Sequence, residues 1–225
     1  LTPFGCLPAV LLFFLLVLFP FILADVMLGA LAKLGLTPEA SFVVALGILG
    51  GGVINIPIKQ YPREETLETP LVQFFGVHRI IPRFNVRKGH MTLAVNVGGC
   101  LVPCALVVYE IIRILPDDLR TFFALAFAAS INVAVCYHIA KPVENIGIAL
   151  PPFVPALTAT LCAVLFAPGK APIVAFSAGV LGPLIGADLL HLRDIRRIGV
   201  GTASIGGAGT FDGIVISGFV AALLA

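Results

Sequence analysis

Charge is what this sequence most lacks. Only 12% of its 225 residues are Asp, Glu, Lys or Arg, whereas a soluble domain carries roughly 25%. So few charges do not make a water-facing surface for a chain of this length. Metal and redox signatures are missing as well. The 4 histidines and 5 cysteines form neither HExxH nor CxxC, so zinc and dithiol chemistry have no framework. The cysteines, Cys6, Cys100, Cys104, Cys136 and Cys162, read as small apolar packing residues. The glycine-rich stretch 199–209 is followed by no Walker lysine and preceded by no Rossmann strand, which argues against a nucleotide cradle. A flexible loop feeding a close-packed helix is the expectation there. No metal or organic cofactor and no nucleic-acid partner is expected.

What the sequence holds instead is hydrocarbon. It is 59% hydrophobic, with a mean hydropathy of +1.09. Apolar runs near the ~20 residues needed to cross a bilayer recur along its length. Backbone groups in hydrocarbon must be paired internally, so these runs are read as helices. The expected architecture is all-α: one polytopic transmembrane bundle over residues 1–225 with about seven spans, near 7–32, 40–57, 91–112, 120–140, 152–167, 172–191 and 206–224. The opening run is too long for the apolar core of a signal peptide, so it is read as a span. Pro116, Asp117 and Asp118 separate the third from the fourth, and 167–172 is a tight turn between the fifth and sixth.

Lys and Arg distribute unevenly over the two sides of this scheme. Ten of the 14 lie on the side of Lys59, Lys141 and Arg193, and only Lys33, Arg113, Arg120 and Lys170 lie on the other. By the positive-inside rule the first side faces the cytoplasm, which puts the N-terminus inside. Segment 59–90 then becomes a cytoplasmic loop, with possible pairing of 77–86 against 53–58 and possible contact with anionic headgroups. Two runs flank it as approximate mirror images: Gly50-Gly51-Gly52-Val53-Ile54-Asn55-Ile56-Pro57 and Asn96-Val97-Gly98-Gly99-Cys100-Leu101-Val102-Pro103.

Ionisable groups inside a bilayer cost about 2.5–3.5 kcal/mol at a helix centre on insertion scales, so they draw attention first. The candidates are Asp25, Glu110, His138, Asp188 and Asp212. His138 is read as interfacial, and Asp194 with Arg197 as a surface pair. Asp188 sits near the cytoplasmic end of the sixth span, and Asp212 early in the seventh. Consecutive antiparallel helices would bring the two to similar depth. The small-residue spacings Gly182-xxx-Gly186 and Gly209-xxx-Gly213, with Ser217 beyond, would let those helices touch. Two carboxylates in contact share a proton, the state that activates a water against an amide carbonyl. His191, three residues after Asp188, would tune it. The plainer readings are a boundary aspartate at 188, a helix cap at 212 and a histidine facing headgroups at 191.

The two aspartates, the Gly207-Ala208-Gly209 motif before Asp212 and the run Pro155-Ala156-Leu157 resemble the GxGD class of intramembrane aspartyl proteases, which includes presenilin, signal peptide peptidase and the prepilin peptidases. The resemblance implies hydrolysis of peptide bonds in membrane-embedded substrates. Asp188 and Asp212 would be the catalytic pair, and Pro155, Ala156, Leu157, Gly207, Gly209, Gly213 and His191 would shape the substrate site. Here two further residues, Thr210 and Phe211, stand between the motif and its aspartate, and the Pro-Ala-Leu run precedes both aspartates. The whole chain also resembles an uncharacterised family of prokaryotic polytopic membrane proteins, through Lys141-Pro142-Val143, Pro151 to Pro155, Gly186 to Leu190 and Ser204 to Gly213. That resemblance implies the plasma membrane of a prokaryote. Two other readings stay open. In an ion-coupled transporter or channel, the glycine breaks near Asn55 and Asn96 would bind a solute and the aspartates a proton or cation. The third is a non-catalytic scaffold. The oligomeric state is not legible.

Overall fold

Glycine, proline and asparagine punctuate the chain, and they decide where each element stops. The computed structural model describes residues 7–66, 73–74, 77–78, 86–116, 118–143, 147–195 and 202–225. Helix α1 (Leu7–Lys33) ends at Gly35, whose φ of 81° is a left-handed stop. Thr37 then caps α2 (Pro38–Gly51) through its hydroxyl, which accepts from the Ala40 amide. Next come strands β1 (Asn55–Thr66), β2 (Gln73–Phe74), β3 (Val77–His78) and β4 (Val86–Asn96). A π-helical segment, Val97–Leu101, leads from β4 into α3 (Val102–Ile114). Then follow α4 (Leu119–Ile139), the hairpin β5 (Lys141–Val143) and β6 (Gly147–Ala149), α5 (Phe153–Phe166) and α6 (Ala171–Leu181). Helix α6 widens into a second π-helical segment, Gly182–Leu189, before the short α7 (Leu192–Ile195), β7 (Thr202–Ile205) and α8 (Gly213–Leu224).

The all-α expectation is therefore corrected. The protein is mostly helical, but a three-stranded sheet in the order β1-β4-β7 sits at one end of the bundle. Strands β1 and β4 are antiparallel, from Asn55 opposite Asn96 to Thr66 opposite Val86, while β7 lies parallel to β4. Residues 59–66 and 86–90 of the expected loop are thus strand, and Asn55, Ile56 and Pro57 pair with the end of β4; residues 79–85 of the expected partner 77–86 lie outside the described residues. The expected third and seventh spans lose their first turns for local reasons. Residues 91–96 are all buried or half-buried and include the β-branched Thr92 and Val95, a composition that suits a strand. Asn96 then caps the following helix by accepting the Gly99 amide at 2.7 Å. Residues 206–212 form a turn and a 3-10 segment, so α8 begins only at Gly213.

Among the described residues, three helical stretches are long and apolar enough to cross a membrane, Val97–Ile114, Leu119–Ile139 and Pro168–Asp194; Pro38–Gly51, Phe153–Phe166 and Gly213–Leu224 are shorter apolar helices. Their outward faces carry Phe42, Phe123, Leu161 and Leu165, and Phe21 on α1 is 70% exposed. Apolar surface on this scale is a liability in water and ordinary against lipid. Helix α6 runs through the middle, packed by α3, α4, α5 and α8. Phe176 at its centre meets Phe219 of α8 edge-on at 5.4 Å between ring centroids.

Two helices touch closely, though not where the expected small-residue stripes lie. A Cβ on Gly179 would stand 2.8 Å from the Ser217 carbonyl oxygen and 2.9 Å from Gly218 Cα. The α6–α8 contact therefore runs through Gly179, Ser217 and Gly218. Gly182 and Gly186 face α4 instead, where a Cβ would meet Asn132, the Val133 carbonyl and Cys136. Gly213 has only Leu150 near it, at 3.6 Å.

The end of the bundle away from the sheet is tied by its few basic residues. Lys33 donates to the Leu223 carbonyl at 2.6 Å, and Arg113 to the Leu34 carbonyl at 2.9 Å. These cations neutralise the carbonyl ends of α8 and α1. Arg113 also pairs at 3.3 Å with Glu110, which is fully buried. Asp118 caps α4 by accepting from both the amide and the hydroxyl of Thr121, and lies 3.4 Å from Lys170. Those Thr121 bonds, then Lys170, hold its carboxyl below its ordinary value of 3.8.

Two outcomes are expected from this packing. Gly179→Ala forces backbone apart and lowers detergent stability by about 1–3 kcal/mol, while Gly213→Ala leaves the melting temperature unchanged. The Asp118 cap stabilises at pH above its ordinary carboxylate range and fades as pH falls through its lowered folded value. Wild type should therefore melt above Asp118→Ala at neutral pH, and the gap should close in acid. A gap independent of pH would rule out the ionised cap.

Candidate functional site

The three sheet strands all meet the helices at the same level, and glycine backbone fills the junction. Helix α2 ends just before β1, β4 ends just before the first π-helical segment, and β7 ends just before Gly206. A Cβ on Gly98 would fall 2.1 Å from the Ile48 carbonyl oxygen, and one on Gly99 would fall 2.1 Å from the Gly206 carbonyl oxygen. Gly209, at φ 60°, packs on Gly52, and Gly206, at φ 68°, packs on Gly99. Only glycine combines that conformation with that proximity. The two mirrored runs of the sequence meet here, face to face.

Asp188 and Asp212 hang from opposite sides of the turn 206–209. Asp188 Oδ2 accepts from the Gly206 amide at 3.4 Å. Asp212 Oδ2 accepts from the Ala208 amide at 3.4 Å, while its Oδ1 accepts from Ile214 at 3.0 Å and caps α8. Both half-buried carboxylates line one cavity of about 490 Å³, together with Asn55, Ile148, Ser204 and Gly207. They also line an adjoining space of about 290 Å³ that reaches Pro183 and Gly213. The π-helical widening at Gly182–Leu189 ends on Asp188 and the residue after it; such widenings recur at functional sites.

A chain of amides orients the cavity's far wall. Asn96 is fully buried, and its carbonyl takes the Gly99 amide. Its Nδ2 must therefore face the Gly52 carbonyl, at 2.8 Å, and Asn55 Oδ1, at 3.2 Å. A donor at that position requires Asn55 to present oxygen. The Ser204 hydroxyl donates to the same oxygen. The Asn55 amino group is left on the cavity side as a hydrogen-bond donor. Ser204 was not among the residues the sequence singled out for chemistry, and Asn55 entered only the transporter reading. The mirrored Asn55 and Asn96 runs were the available signal, since paired asparagines beside glycines mark chain crossings that need polar satisfaction.

The other expected site residues divide. Gly207 lines the larger cavity, Gly213 the smaller, and Gly209 seats the turn. His191 lines neither space. It is buried, its Nδ1 lies 3.0 Å from the Gly186 carbonyl and 3.1 Å from that of Ala187, and its ring lies against Tyr137. Two carbonyl acceptors require the proton on Nδ1, so His191 closes the carbonyl end of the π-helical segment. Pro155, Ala156 and Leu157 lie in the first turn of α5 and line neither space; Pro155 and Ala156 are buried, and Leu157 is 59% exposed. Among the described residues, no group of three or more His, Cys, Asp and Glu side chains is arranged to hold a metal ion.

Asp212 has two separable duties, a cap and a carboxylate. Asparagine caps helices as well as aspartate does. Asp212→Asn should keep the wild-type melting temperature, whereas Asp212→Ala should lose about 1 kcal/mol. Equal melting of all three would show that the cap contributes nothing.

No curated protein and no solved structure matches the chain. Its residues 48–224 match the family DUF1614, described as a protein of unknown function, and the chain belongs to that family.

Proposed function

We propose that this protein is an intramembrane aspartyl protease-like hydrolase, acting on peptide bonds of membrane-embedded substrates through Asp188 and Asp212. The observation that carries the reading is the convergence of both carboxylates on one cavity, each held by an amide of the same glycine turn. In this reading the ionised carboxylate takes a proton from water as its oxygen adds to the peptide carbonyl carbon. The protonated carboxylate donates to the carbonyl oxygen. The tetrahedral intermediate then collapses, the C–N bond breaks, and the leaving nitrogen receives a proton. The Asn55 amino group would donate to a substrate carbonyl. Strand β7 is an edge of its sheet and its four residues line the cavity, so an extended substrate segment has backbone to pair with.

The proposal includes the topology: about seven spans in a prokaryotic plasma membrane, with the sheet end and most Lys and Arg on the cytoplasmic side. The transporter reading rested on glycine breaks that offer free helix ends to a solute. Those glycines are in backbone contact, and Asn96 occupies the polar groups of the break. That observation favours packing over solute binding.

Purified protein in liposomes, offered a set of transmembrane peptides, should yield fragments resolved by mass spectrometry. Asp188→Asn and Asp212→Asn should each reduce cleavage by at least about 100-fold, the scale of one acid–base group. A hydroxyl-bearing aspartyl transition-state mimic should protect the wild type from thermal unfolding. Undiminished cleavage in both variants would sink the assignment.

A further inference from the structure

A second groove lies behind the wall of the aspartate cavity. The two share the β5–β6 hairpin: Gly147 and Ile148 line the larger aspartate cavity, while Ala149 and Leu150, which also border the smaller aspartate space, line a groove of about 660 Å³ that neither aspartate reaches. His138, Ile139, Lys141, Val143 and Pro151 complete it. The chemistry of this lining is two-part. Lys141 and His138 both line it and are exposed, and among the described residues no acidic side chain does. Among the described residues, Lys141 has no carboxylate partner. The remaining five lining residues are apolar. The groove also sits where the candidate span Leu119–Ile139 ends and just before α5 begins, which in the proposed topology is the boundary between hydrocarbon and headgroups.

We propose that this groove binds the headgroup of an anionic phospholipid, with the phosphodiester on Lys141 and His138 and the upper acyl chain against Ile139, Val143, Leu150 and Pro151. Cationic side chains at a membrane boundary attract anionic headgroups. The apolar lining selects a lipid over free phosphate, because a hydrated anion gains nothing from five hydrocarbon walls. The site is separate from the two aspartates, and its occupancy does not depend on their chemistry. A bound lipid would brace the hairpin whose other face walls the aspartate cavity.

The test uses the whole protein in a neutral detergent, with three probes: short-chain phosphatidylglycerol, phosphatidylcholine of the same chain length, and inorganic phosphate. Native mass spectrometry reads retained lipid, and thermal unfolding reads stabilisation. Phosphatidylglycerol should be retained and should raise the melting temperature, and the other two should not. Lys141→Gln should weaken phosphatidylglycerol about fivefold, the scale of one lost cation at an anionic surface. Arg193→Gln, outside the groove, should leave it unchanged. Lys141→Ala serves as a second variant should Lys141→Gln fold poorly. Equal retention of phosphatidylcholine, stabilisation by phosphate alone, or wild-type affinity in both Lys141 variants would each overturn the proposal.

Discussion

Backbone-to-backbone contact between glycines is the constraint on which the rest of this structure rests. Gly51 and Gly52 at the end of α2, Gly98 and Gly99 before α3, and Gly206 and Gly209 before α8 touch without room for a methyl group. Hydrocarbon offers no water to backbone groups that leave a helix, so broken helices need partners close at hand. Here the partners are the amides and carbonyls of the other breaks, the Asn96 side chain and the ends of the sheet. The polar cavity exists because three interruptions coincide at one level.

The two ends of the bundle consequently differ in kind. At one end, carbonyls of α1 and α8 are closed by Arg113 and Lys33. At the other, chain reversals are handled by strands, glycine turns and the Asp212 cap. One end is closed by long cationic side chains and, among the described residues, carries no strand. The other is open, polar and built from short residues, and that is where a hydrolase would need water.

Much of this was legible in the sequence, and the failures share a cause. Each expected span contains a helix, because long apolar runs need no fine pattern to be recognised. The strands at 91–96 and the turn at 206–212 were absorbed into neighbouring spans, because an apolar strand inside an apolar run has no hydropathy edge of its own. The convergence of Asp188 and Asp212 followed from antiparallel depth, but the contact behind it did not. Gly182 and Gly186 turned to α4, and the close approach moved to Gly179 and Gly218. Small residues mark which helices pack tightly without naming the neighbour. Pro155-Ala156-Leu157 lines neither space, and a three-residue run carries no information about which helix end faces a cavity.

The pairing of β7 with β4 has a consequence for how the protein is made. These adjacent parallel strands are separated by about a hundred residues that include α3, α4, α5 and α6. Contacts of such long sequence separation form late, because the intervening chain must be ordered first. Residues 206–209 have no seat on Gly52 and Gly99 until that ladder closes. The amides that hold Asp188 and Asp212 thus come into position only after the intervening helices are inserted. A nascent chain thus carries both carboxylates before the turn that holds them together has been seated.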